Sequence, residues 1–103
     1  MKRPDNFEAL LQTYPEQFEA FMETCDDLCA QHVIKASAYG AHAIGRFGVF
    51  GIAVRMSDKI ERLITLTMNP NISDADESID DTLMDLAGYA IIALIVRKGK
   101  WGK

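Results

Sequence analysis

The sequence predicts an all-α protein, a small bundle of about four helices, and three observations carry that expectation. Apolar residues recur at three and four positions over most of the chain, no segment alternates with a period of two, and glycine and proline gather in short stretches between the helical runs. With 103 residues, 49% of them hydrophobic and 25% charged, the composition is ordinary for one globular domain. We read residues 1–103 as a single domain, with 1–14 an N-terminal arm and 97–103 a basic tail. A chain of this length can form one core, and association would help it to bury apolar surface.

The elements follow in order. Residues Asp5 to Gln12 suit a short entry helix, and Pro15 suits the first turn of a long second helix, where its missing N–H costs nothing. From Phe18 to Ala36 an apolar stripe opposes Glu16, Glu19, Glu23, Asp26 and Asp27. Cys25 and Cys29 stand one helical turn apart on that stripe, with His32 following. A Cys, Cys, His zinc site is one reading; buried core thiols, the commoner use of such residues, is the one preferred.

Next comes YGAHAIGRFGVFG, with glycines at 40, 45, 48 and 51, read as a connection between helices that allows close packing. Arg46 is its candidate anion partner. A third helix covers Ile52 to Thr67, with Ile52, Ala53, Met56, Ile60, Leu63 and Ile64 as the buried stripe. Arg55, Asp58, Glu61, Arg62 and Thr65 fall within about 120° on another side. Residues Met68 to Asp76 read as a loop. The fourth helix is expected to start at Ser78, as the cap of a box closed by Asp81, and to run to about Lys98.

That fourth helix poses the chemical question. Helix capping explains acids in its first turn. It does not explain Asp85, which shares a strip with Asp81, Gly88 and Ile92 on a helix that is otherwise apolar on nearly every side. A carboxylate in such surroundings needs a cation, either a metal or a basic side chain. Asp74, Asp76, Ser78, Asp80, Thr82 and Asp85 fall at the spacing of a calcium loop, but Ile79 occupies the position where the sharp turn needs glycine.

Charge and hydropathy exclude several classes. The net charge is −4, and four of the eleven basic residues crowd into the last seven positions. Duplex nucleic acid is therefore not an expected partner of the body. The start MKRPDNFEALLQ lacks the apolar core of a signal peptide, and the longest apolar run, Leu86 to Val96, is short of the roughly 20 residues of a membrane span. The expectation is a cytoplasmic protein without a membrane partner.

If the third and fourth helices pack antiparallel, Asp58, Glu61, Asp81 and Asp85 would face a common volume. Oxygen-only ligation suits Mg2+ or Mn2+. Paired acids spaced as in Asp58-Lys-Ile-Glu61 and Asp81-Thr-Leu-Met-Asp85 resemble the all-α nucleoside triphosphate pyrophosphatase superfamily of MazG and dimeric dUTPase. Closer still, Tyr39-Gly40, FGVFGIAVRMSDKIERL and ESIDDTLMDLAGYAIIAL resemble the phage and bacterial family called nucleotide modification associated domain 1. The resemblance implies an oligomeric helical protein with a magnesium-dependent nucleotide site. On this chain it implies Asp58, Glu61, Asp81 and Asp85 as metal ligands, with Glu61 and Asp85 catalytic. It also implies Arg55, Lys59 and Arg62 as phosphate contacts and Tyr39 or Tyr89 as base-stacking rings. Here Ser57-Asp58 stands where MazG proteins carry a doubled glutamate, and the second pair is spaced by four instead of three. Three functions are consequently expected in order: release of pyrophosphate from a canonical or modified nucleoside triphosphate, nucleotide binding without turnover, and a structural helical oligomer.

Overall fold

The computed structural model describes residues 1–40, 42–69, 71 and 75–103. It is all-helical, with no strand among those residues: α1 (Phe7–Leu10), α2 (Pro15–Tyr39), α3 (His42–Gly45), α4 (Gly48–Met68) and α5 (Ala75–Arg97). Pro15 opens α2 as its sequence position requires. Gly40 ends that helix at φ +73, with its N–H donating to the Ala36 carbonyl at 2.9 Å, and Gly48 takes φ +64 where α4 begins. Both conformations are cheap only for glycine. They are what the glycine-rich connection is for.

The centre of the molecule is the antiparallel pair of α4 and α5, with α3 on α4 and α2 touching α5 over a short span. Ile52, Leu66, Ala75 and Thr82 are its buried residues, joined by the half-buried Met56, Lys59 and Leu63 on α4. The buried hydroxyl of Thr82 donates to the Ser78 carbonyl at 2.6 Å, so no polar group is stranded there. At the far end of α4, the Asn69 side-chain amide donates to the Thr65 carbonyl at 2.7 Å and covers one of the helix's free acceptors.

Three expectations are corrected. Helix α5 begins at Ala75, so Ser78 and Asp81 lie inside it and do not form a cap; Asp76 and Glu77 are the acids of its first turn. Asp76 is then helical, which removes the calcium loop, and Asp74 lies outside the described residues. Ile60 and Ile64, assigned to the buried stripe of α4, are about half exposed. Leu66 and Lys59 face α5 in their place, because α4 is apolar on two opposite sides and only one can meet its neighbour. The stripe of α2 also stays largely open: Phe18, Leu28 and His32 are half-buried, whereas Cys25 and Cys29 are exposed and free. The core-thiol reading is thereby overturned, and no group of three His, Cys, Asp or Glu side chains able to hold a metal, zinc included, occurs among the described residues.

The chain is consequently open. Its Cα radius of gyration is 16.3 Å, where about 13 Å is usual for this length. Its accessible surface is 8334 Å², about 2,500 Å² more than a compact monomer of this mass exposes. No helix of the described residues is long and apolar enough to cross a membrane.

Candidate functional site

A cleft of about 420 Å³ lies where α2, α3, α4, α5 and the C-terminal turn converge. That volume falls within the usual range for small-molecule sites. Its floor is the strip of α5 identified above: Asp85, Gly88 and Ile92, with Tyr89 beside them. A Cβ on Gly88 would stand 3.7 Å from Leu28 Cδ1, so this is where α2 comes close to α5. Opposite stand His32, Lys35 and Tyr39 of α2 and Arg55 of α4, and Trp101 closes one side.

Asp85 meets two ammonium groups. Lys35 Nζ donates to Oδ1 at 3.2 Å, and Lys59 Nζ lies 3.0 Å from Oδ2. Burial alone would push the carboxyl up; hydrogen bonds from Lys59 and Lys35, with the charges of both, outweigh it and hold Asp85 below the usual carboxylate range. The expectation that this residue meets a cation is therefore met by side chains. Arg55 is held nearby by a long 3.5 Å contact from Nη2 to the Ala43 carbonyl.

This gathering is selective. Between residues 4 and 96 the sequence holds five basic side chains, Lys35, Arg46, Arg55, Lys59 and Arg62. Lys35 and Arg55 line one cleft, and Lys59 joins Lys35 on the Asp85 carboxylate of its floor, so the site is cationic although the chain is acidic. Such a concave surface concentrates anions. Tyr39 and Tyr89 border it, and Tyr39 stands 80% exposed at the mouth. Arg46 lies elsewhere, in a smaller cleft with His42, Gly45, Trp101 and Gly102, its guanidinium 5.4 Å from the centre of the Phe47 ring.

The four acids do not converge within one chain. Lys59 faces Asp85 across the helix pair; at 100° per residue Glu61 is then about 160° around α4 from it, and Asp58 about 100°. Asp81 shares the strip of Asp85 but is exposed and does not line the cleft. A hard divalent cation needs several oxygen donors around one point. Here one chain presents Asp85 with both oxygens engaged by ammonium groups, and no group of three candidate ligands occurs among the described residues. The described residues of a single chain do not fit magnesium or manganese.

Two contributors escaped the sequence reading. Lys35 is the only Lys or Arg between residues 4 and 45, on a helix rich in acids, and that isolation was a usable signal. Trp101 gave none beyond its presence in a basic tail, because a tail's return path is not written in helical periodicity.

Residues 51–96 match the family model described as nucleotide modification associated domain 1. The match covers α4 after its first turn and nearly all of α5, less than half of the chain but the whole of its packed centre. No curated protein and no solved structure matches. Asp58, Glu61, Asp81 and Asp85 all lie within the matched segment; His32, Lys35, Tyr39 and Trp101 lie outside it.

Proposed function

We propose that the cleft binds a nucleotide, canonical or modified, with the phosphates on Lys35, Arg55 and Lys59 and the base toward Tyr39 and Tyr89. The observation that carries this reading is a cleft edged by aromatic rings and lined by Lys35 and Arg55, with Lys59 reaching the Asp85 carboxylate of its floor, and with that floor on the segment that matches a nucleotide-associated family. Asp85 serves as a counter-ion here.

The substitution Asp85→Asn separates this reading from its rival. If ammonium groups hold the phosphates, removing the carboxylate leaves an extra positive charge, and affinity for a nucleoside triphosphate is kept or increased. If Asp85 ligates a metal that bridges to the phosphates, magnesium-dependent binding is lost. The rival, release of pyrophosphate, is favoured by one observation, that all four acids lie in the matched segment. It requires Lys35 and Lys59 to leave Asp85 and further oxygen donors to arrive. Pyrophosphate release from a panel of canonical and modified dNTPs, with verified folded protein and added magnesium, tests it.

The partner that fits the open surface is a second copy of the chain. Phe47 at the start of α4 and Phe50, Val54, Ile64 and Met68 on it are exposed, turned about 120–220° around the helix from Ile52, with the exposed Ile60 at the edge of that face. On α5 Leu83, Ile91 and Leu94 likewise lie open, away from Asp85. The surplus of about 2,500 Å² per chain, doubled across two copies, is in the range that obligate dimers bury. The interrupting Asp58 and Glu61 lie on or beside this outer face of α4 and would find their surroundings in the partner.

A further inference from the structure

The C-terminal tail turns back on the body of the protein. After α5 the Gly99 N–H donates to the Val96 carbonyl at 3.0 Å and the Lys100 N–H to the Ile95 carbonyl at 3.2 Å, with Gly99 at φ +71. This is the paired bonding of a Schellman turn, which reverses the chain and needs a left-handed residue at its corner. A second turn, Lys103 N–H to the Lys100 carbonyl at 3.2 Å with Gly102 at φ +77, follows at once. Between them Trp101 is carried back to α2 and α3. Its ring centre is 5.7 Å from that of His32, tilted by 44°.

The pyrrole edge of the indole enters against Gly45. A Cβ at that position would lie 2.5 Å from Trp101 Cδ1 and 2.6 Å from Nε1, closer than real atoms approach. Glycine at 45 is therefore the condition for the indole to sit where it does. There it forms a wall shared by the large cleft and the smaller cleft holding His42 and Arg46.

We infer that Trp101 is the principal stacking surface for the ligand's ring, so that the C-terminal turn, which lies outside the family match, makes the cleft prefer nucleotides over base-free polyphosphates. The inference rests on the nucleotide reading above. The indole offers the largest π face among the cleft's rings, it is half-buried and braced by His32 and Gly45, and Tyr39 at the mouth is far more exposed. A braced ring loses little freedom on binding, and base stacking on an aromatic side chain changes affinity by about 5- to 150-fold.

The experiment titrates the full-length chain with a dNTP and, separately, with inorganic tripolyphosphate, following heat and the emission of the chain's single tryptophan. The variants are Trp101→Ala, Trp101→Phe and Gly45→Ala, each checked for retained helicity. The dNTP should quench wild-type emission, and Trp101→Ala should weaken the dNTP by about 5- to 150-fold while leaving tripolyphosphate unchanged. Trp101→Phe should recover much of the loss, and Gly45→Ala, which displaces the indole without deleting it, should lose dNTP affinity as Trp101→Ala does. Equal losses for dNTP and tripolyphosphate would reduce Trp101 to a structural brace, and an unaltered dNTP affinity in Trp101→Ala would also overturn the inference. Wild-type protein that binds neither probe removes the nucleotide reading itself, and this inference with it.

Discussion

The substitution Asp85→Asn tests the electrostatics at the heart of the cleft. Its Lys59 partner is the better buried: side-chain exposure is 31% for Lys59 and 27% for Asp85, against 58% for Lys35. A partly buried ion pair at 3.0 Å contributes about 1 kcal/mol, near the top of the range for accessible pairs. The Lys35 pair, screened by solvent, adds about 0.3 kcal/mol. Asparagine keeps the shape and removes the charge, leaving two ammonium groups facing each other, so the expected loss is about 1–2 kcal/mol at pH 7. In thermal unfolding this corresponds to roughly 4–8 °C per kcal/mol for a chain near this size.

The pH dependence gives the sharper check. Asp85 is held below its ordinary value in the folded state, so its contribution is fully present above the unfolded carboxyl pKa of about 3.9 and is lost as pH falls through the lower folded value. Urea unfolding of wild type and Asp85→Asn at one fixed protein concentration should show the full gap at pH 7 and a closing gap below about pH 4. Equal stability at pH 7, or an undiminished gap at pH 3, would refute the assignment of Lys59 and Lys35 as the residue's partners.

Other outcomes follow from the same geometry. Ile64→Glu places a charge on the outer face of α4 without touching the α4–α5 contact, so sedimentation should show a dimer or larger species becoming monomer with helicity retained; a wild-type chain that is monomeric at tens of micromolar would contradict the second-copy surface. Gly88→Ala adds a methyl at an ordinary 3.7 Å from Leu28 Cδ1 within a helix, so chemical denaturation should show a gain of about 0.5–1 kcal/mol. Lys35→Met removes a cleft cation from an exposed site and should weaken nucleotide binding, measured by titration calorimetry, with at most about 0.5 kcal/mol lost in stability; unchanged affinity would place the phosphates elsewhere.

Helix type and order were legible because periodicity marks an amphipathic helix, and Pro15, Gly40 and Gly48 punctuate the chain where their backbone preferences are needed. The requirement for a cation at Asp85 was legible too, since a carboxylate on an apolar helix has few physical solutions. Which cation was not, because Lys35 lies fifty residues away on a helix whose docking no local pattern records. Helix α4 misled for a related reason: Ile52, Met56 and Leu63 form one apolar face and Ile60 and Ile64 another, and a wheel cannot say which of two faces the neighbouring helix will take. The start of α5 was misplaced by one turn because Ser78 and Asp81 imitate a cap that Asp76 and Glu77 make unnecessary. Trp101 depended on a backbone reversal at Gly99 and on an absent side chain at Gly45, two features with no hydropathy signal.

The central claim is that the chain's own cations, and not a bound metal, hold a nucleotide's phosphates in this cleft. Calorimetric titration of the wild-type chain with a panel of canonical and modified dNTPs, once in EDTA and once in magnesium, tests it most directly. At least one nucleotide should bind in EDTA, with binding weakened by Lys35→Met and Arg55→Ala. Binding that appears only with magnesium and disappears in Asp85→Asn, or no binding of any nucleotide in either buffer, would contradict it.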